Sequence, residues 1–264
     1  MRIVKKVAVL AATTGLLVVI SAGGSTAAVP AQSPQVLWAE RLLREVAPDR
    51  NVYGSRPTIV RWAEDGKGPA ANRSVCSSFV THVFERAYGF NRIVIRQWFG
   101  KSDPRAIDYV RTIDAGRGFE PVLRVTAIRA GDVIAIAYPP GGESTGHVML
   151  ADGVAAPRVT TAPLEPGLRQ YEIAVIDSSR SGHGFSDTRM LVGSRKTGAG
   201  RGTLRLYAAQ DGMISGYSWS TRADSQFYPN NEHPIVVGRF TTPQSSSLTA
   251  GAGGDDAVRG EAQR

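Results

Sequence analysis

The chain changes its apolar period once, and that change limits what it can fold into. Before residue 122 the apolar residues recur at helical spacings. "SPQVLWAERLLREVAPD" places Val36, Leu37, Glu40, Leu43 and Val46 at such spacings, with Ser33 to start a helix and Pro48 to stop it. "SVCSSFVTHVFERAYG" sets Phe79, Val80, Val83, Phe84 and Ala87 on one face, between Ser74 as an N-cap and Gly89 as a stop. "SDPRAIDYVRTIDAG" reads as a third helix, with Ser102 as cap and Pro104 in its first turn. From Val122 onward the apolar runs are short and separated by turn residues: "DVIAIAY", "HVMLADG", "YEIAVIDSS", "TLRLYA", "MISGYSWS" and "PIVVGRF". Asp211-Gly212 signals a hairpin. Helices first and an antiparallel sheet afterwards predict an α+β fold with N-terminal helices packed on the sheet.

The ends read differently. "MRIVKK" precedes "VAVLAATTGLLVVISAGG" and the small residues "STAAVPA". That is the pattern of a secretory signal peptide over residues 1–31, cleaved near Ala28 or Ala31. About 235 residues then remain, enough for one domain over 32–240. The stretch from Thr241 to Arg264 is Ser, Gly, Ala and charge without apolar period, a disordered tail. These readings predict a secreted or cell-envelope, extracytoplasmic protein without a stable membrane anchor. The chain carries a net charge of +8. Such a balance draws a protein to anionic polymers such as those of a cell wall. The arginines are scattered, and no nucleic-acid module is visible.

The chain has one cysteine. Cys76 falls in the first turn of its helix, where the helix dipole and free N–H groups favour an anion and can hold an oxyanion. A purely structural cysteine is the competing reading. A nucleophilic thiol needs a base, and there are four histidines. His82, six residues along the same helix, points about 120° away and lies about 9 Å up the axis. His233 sits in a polar loop and reads as solvated. His183 lies among flexible residues in "SSRSGHGFSDTR", hard to hold rigid. His147 opens a strand, a better platform, and is the candidate base. Asp177 ends the apolar strand "YEIAVID", where a carboxylate is costly unless paired. On a strand beside that of His147 it would orient the imidazole, as the third member of a triad does; a turn aspartate opening "DSSRSG" is the alternative. One cysteine and scattered histidines show no zinc-ligand spacing, so neither metal nor cofactor is expected.

Cys76-Ser77-Ser78-Phe79-Val80 at a helix start, then "RAGDV" at 129–133, then Gly146-His147-Val148, then a polar residue ending the next strand, resemble the NlpC family of papain-like cysteine peptidases of the bacterial cell wall. The resemblance covers roughly residues 50–180. It implies a papain-like fold and hydrolysis of amide bonds in peptidoglycan stem peptides through a thioester. It makes Cys76 the nucleophile, His147 the base and Asp177 the third residue. It makes Tyr53, in "NVYGSRP", and Ser77 oxyanion or substrate residues. It also implies a monomer whose partner is peptidoglycan or another wall polymer. Val75 stands where that family has an aspartate, and Asp177 where it more often has His, Asn or Gln. Two further functions fit the same residues: a non-catalytic wall-binding protein, and an acyltransferase or transglutaminase-like enzyme with an amine acceptor.

Overall fold

The computed structural model describes residues 32–190 and 196–241. The expected signal segment, and the tail beyond Thr241, lie outside the described residues. No helix among the described residues is long and apolar enough to cross a membrane.

Four α-helices occupy the N-terminal part: α1 (Pro34–Glu45), α2 (Cys76–Tyr88), α3 (Arg92–Phe99) and α4 (Ala106–Asp114). The first buries Gln35, Val36, Ala39 and Leu42, while Leu37 is exposed, so its inward face is turned from the expected one. A polar residue turns it. Gln35 Nε2 donates to Gly131 O at 2.8 Å, and its Oε1 accepts from Tyr88 Oη at 2.5 Å. Ser33 is the N-cap residue of α1 as expected, but its side chain makes no capping bond; its hydroxyl donates to Ala130 O at 2.7 Å. In α2 the expected apolar face is buried, and Gly89 ends the helix in the left-handed region. The residue at its cap is Val75 rather than Ser74. Ser78 Oγ closes the cap by accepting from Val75 N at 3.0 Å. α3 was not visible in the apolar pattern because it is only eight residues long. Asn91 Oδ1 starts it by accepting from Ile93 N and Val94 N. α4 begins at Ala106, later than expected, because Asp108 Oδ2 reaches back to Arg105 N at 2.8 Å.

Three short strands also lie in the part that reads as helical: β1 (Asn51–Tyr53), β2 (Ile59–Arg61) and β3 (Ala71–Ser74). β1 pairs with β3 in parallel and β2 pairs with it antiparallel. The remaining strands form one antiparallel sheet. They are β4 (Phe119–Pro121), β5 (Val133–Ala137), β6 (Gly146–Ala151), β7 (Ala156–Pro157), β8 (Arg169–Ser179), β9 (Gly198–Ala208), β10 (Ile214–Ser218), β11 (Phe227–Pro229) and β12 (Ile235–Phe240). Their order is β11-β10-β9-β8-β6-β5-β12-β4, with β7 on β8. The Asp211-Gly212 hairpin joins β9 to β10 as expected. The fold is therefore α+β, with helices on an antiparallel sheet. A bridge between Arg124 and Met213 brings the chain beyond one edge strand to the β9–β10 turn near the other.

The sheet separates two cores. Val133, Ala135, Ala137, Val148 and Leu150 face α2 and α4. Ile134, Ile136, Met149 and Ala151 alternate with them into a second core with Leu204, Leu206 and Val237. Phe84, fully buried, meets Trp98, Phe119 and Phe240 edge-on. Burial of such a ring stabilises the fold by about 1.5–3 kcal/mol. This packing fixes α2, and hence its first residue, on the sheet.

Candidate active site

Cys76 is the first residue of α2 and is buried. Its place follows from the segment before it. Asn51 acts as a side-chain strand: its Nδ2 donates to Ala199 O and its Oδ1 accepts from Ala199 N, both at 2.8 Å. The same oxygen accepts from Asn72 Nδ2 at 2.9 Å, so β1 and β3 are clipped to β9. Ser178 Oγ donates to Ser74 O at 2.8 Å and ties the residue two before the cysteine to the residue after Asp177.

His147 is the second residue of β6, opposite Ile136. The glycine before it is required by the approach of two backbones. Gly146 has φ +140°, and a Cβ there would lie 1.8 Å from Ile136 O. Asp177 lies in β8, which pairs with β6. Its Oδ2 is 2.5 Å from His147 Nε2. That contact leaves His147 Nδ1 free of Asp177, and Cys76 lies near enough for a charge on its sulfur to raise the imidazole. The three residues expected to act together are thus brought together, in the expected strand pairing.

The surroundings hold more than the sequence suggested. His183 is fully buried, not loose. Its Nε2 is 3.0 Å from the same Asp177 Oδ2, and its Nδ1 is 2.8 Å from Trp219 O. Both ring nitrogens face acceptors, so the arrangement is fully bonded when both carry a proton. Arg189 Nη2 lies 2.8 Å from Asp177 Oδ1, with the angle of an ion pair rather than a hydrogen bond. Arg189 Nε and Nη2 also hold the two oxygens of Asp187, at 2.8 and 2.7 Å. Asp187 in turn accepts from His183 N at 2.8 Å. Trp219 covers the group, stacked on His183 at 4.3 Å and edge-on to His147 at 4.7 Å.

Burial alone would raise the Asp177 carboxyl, but Arg189, His183 and the bonds from both imidazoles hold it well below the usual carboxylate range. Burial alone would lower His147. A charge on Cys76 and the bonds to Asp177 and Cys76 overcome it and push the imidazole up to about 9. An imidazole raised above its ordinary 6.5 stabilises the fold fully below that pH and loses the contribution as pH rises through about 9. In urea titrations between pH 6 and 10, wild type should therefore lose stability relative to His147→Gln. Parallel curves for the two proteins would show that the proton is not held.

His147, Asp177 and His183 place potential metal-ligand atoms within 4.8 Å of one another. Each imidazole Nε2 is already spent on Asp177 Oδ2, and the Arg189 cation faces the other oxygen. Asp177 Oδ2 is bonded by both imidazoles, Oδ1 takes no hydrogen bond but faces the Arg189 cation, and a metal cation would compete with that guanidinium.

Tyr53 ends β1 opposite Ser74. Burial first, then the charge on Cys76, push its hydroxyl up to about 12, so it stays protonated and able to donate. Ser77 is buried, and its carbonyl accepts from Thr81 Oγ1 at 2.8 Å. Ser77 lines a cleft with Ser78, Thr81 and His82. His82 pairs with Glu85 and takes no part, as expected.

Fold and site together define an α+β protein in which a helix-borne cysteine meets a histidine and an aspartate on adjacent strands. The chain belongs to the same family as Uncharacterized protein R653 of Acanthamoeba polyphaga mimivirus. The two are 31% identical over 224 residues, 78% of this chain and 96% of that protein. No family model matches the chain, and no solved structure matches it. The resemblance to the NlpC family is corrected by these findings. The family shown is that of a viral protein, and the short motifs around Cys76 and His147 do not extend to a match with any family model.

Proposed function

We propose that this protein is a cysteine-dependent amide hydrolase with a papain-like arrangement of helix and sheet. The observation that carries the reading is the buried His147–Asp177 pair, set near a cysteine that begins a helix. The Cys76 thiolate attacks the amide carbon. Its own backbone N–H, in the first turn of α2, and the Tyr53 hydroxyl would serve as the oxyanion donors. The His147 imidazolium gives its Nδ1 proton to the departing nitrogen, leaving a thioester. Water then attacks the thioester with His147 as base, releasing the acid and restoring the thiol. Asp177 keeps the imidazole oriented throughout. Secretion and action on peptidoglycan stem peptides belong to this proposal; the charge of +8, which becomes +5 once Arg2, Lys5 and Lys6 leave with the signal segment, supports an anionic polymer as the setting.

The single cysteine makes the test unambiguous, since any alkylation reports on Cys76. Native protein should react with iodoacetamide at pH 6 far faster than free cysteine does, and His147→Ala should lose the advantage. In parallel, wild type should release new amines from stem peptides or from a peptide panel, and Cys76→Ser should release none. Labelling only after unfolding, with no bond broken by wild type, would make Cys76 a buried structural residue and the protein a binder.

A further inference from the structure

Acidic and basic groups share one enclosed space around Cys76, and the charge on His183 decides whether they balance. Asp177, Asp187, Arg189, His147, His183 and Cys76 are all buried, so an excess charge among them has little water to offset it. Arg189 pairs with both carboxylates and leaves one negative charge to be matched. His183 is placed to match it. Its Nε2 faces Asp177 Oδ2 on β8, and its Nδ1 faces the carbonyl of Trp219, which follows β10; both are acceptors. Its backbone N–H donates to Asp187, and its ring lies 6.2 Å from that of His147 on β6. From β9, a Cβ on Gly202 would fall 2.6 Å from the Cβ of His183, so the imidazole has no room to swing that way. The Trp219 indole is stacked on the ring, and an aromatic face favours a cation. Tyr53 lies near enough to feel the charges on Cys76, Arg180 and Asp177.

Resting on the hydrolase reading above, we propose that His183 is a positioning residue, protonated on both ring nitrogens, which fixes Asp177 on His147 and supplies the cation that lets Cys76 ionise. With His183 charged, Arg189 and His183 together match the two carboxylates. The Cys76–His147 couple is then neutral overall. A proton moving from the thiol to His147 gives thiolate and imidazolium without changing the buried charge. With His183 neutral, the unmatched carboxylate holds an imidazolium at His147 and a thiol at Cys76, because a thiolate would leave the cluster negative. The bond from His183 also holds Asp177 Oδ2 at His147, since Oδ1 takes no hydrogen bond that would fix the carboxylate's rotation.

The rate of Cys76 alkylation against pH tests this apart from hydrolysis, since the chain has no other thiol. His183→Gln keeps an amide N–H for Asp177 and drops the charge. Its labelling by iodoacetamide at pH 6 should be about tenfold slower than that of wild type, and at pH 10 the two rates should agree within about twofold. A site merely disturbed would label differently at both. Equal rates at pH 6, or a difference that persists at pH 10, overturns the proposal. Circular dichroism in the same buffers shows whether the variant is folded. If it is not, 15N spectra of histidine-labelled wild type decide alone, with the other three rings assigned by their own glutamine variants. At pH 7 the His183 ring should show two protonated nitrogens; one protonated nitrogen overturns the proposal. Two protonated nitrogens with the loss at pH 6, but no peptide cleaved by wild type, uphold the role of His183 in ionising the thiol and overturn the hydrolase reading instead.

Discussion

Cys76→Ser should reduce amide turnover by at least about 10⁴-fold, which is about 5.5 kcal/mol of transition-state stabilisation. The hydroxyl that replaces the thiol is too weak an acid to be ionised by His147, so no acyl intermediate forms. His147→Ala should cost a similar factor, because the thiol then loses both its proton acceptor and the imidazolium, held up to about 9, that would pair with its thiolate. The double variant should be no worse than either single one, since the two act as a unit. Asp177→Asn should cost less, as it leaves the nucleophile and base in place. Steady-state kinetics on any substrate the wild type cleaves will read these ratios. Additive losses in the double variant would mean that Cys76 and His147 do not share one reaction.

The second large effect is on stability. Arg189→Met should destabilise the fold by about 3–5 kcal/mol, because it strands two carboxylates, Asp177 and Asp187, at buried positions. For a domain of this size that is a fall of roughly 10 °C in Tm. Lysine should not rescue it. Arg189 uses Nε and Nη2 on Asp187, Nη2 toward Asp177, and Nη1 on Gly198 O at 3.1 Å, a fork that an ammonium cannot reproduce. Arg222→Met, which breaks an ion pair with exposed Asp224, provides the control and should change stability by less than about 1 kcal/mol. Equal melting shifts for the two variants would show that the buried pairing is not what holds this loop.

Arg189 also shows where local pattern stops being informative. The order of helices and strands was legible because each element is an apolar period bounded by caps and turns. The place of Cys76 at a helix start, of His147 just inside a strand and of Asp177 within the next long strand followed from the same patterns. The candidate triad was legible because those three positions are local, and only one strand pairing was needed to join them. The bulk of the site was not. His183 reads as part of a loose loop, yet it is fixed by Asp177, Asp187 and Trp219, and Trp219 lies 36 residues further along the chain. One trace of that packing is present in the sequence. β9 begins Gly-Ala-Gly-Arg-Gly, and a Cβ on Gly200 would fall 2.6 Å from Arg189 Nε, on Gly202 2.4 Å from Asp187 Oδ2. Alternate glycines in a strand mark a close approach, but they do not name what approaches. The small sheet escaped notice for the same reason: its parallel pairing and its clip through Asn51 join segments 21 and 148 residues apart. Local sequence determined the longer elements and the three candidate side chains. Tertiary structure alone decided which buried charges surround them, because the partner of a buried charge is chosen by packing across the sheet and not by spacing along the chain.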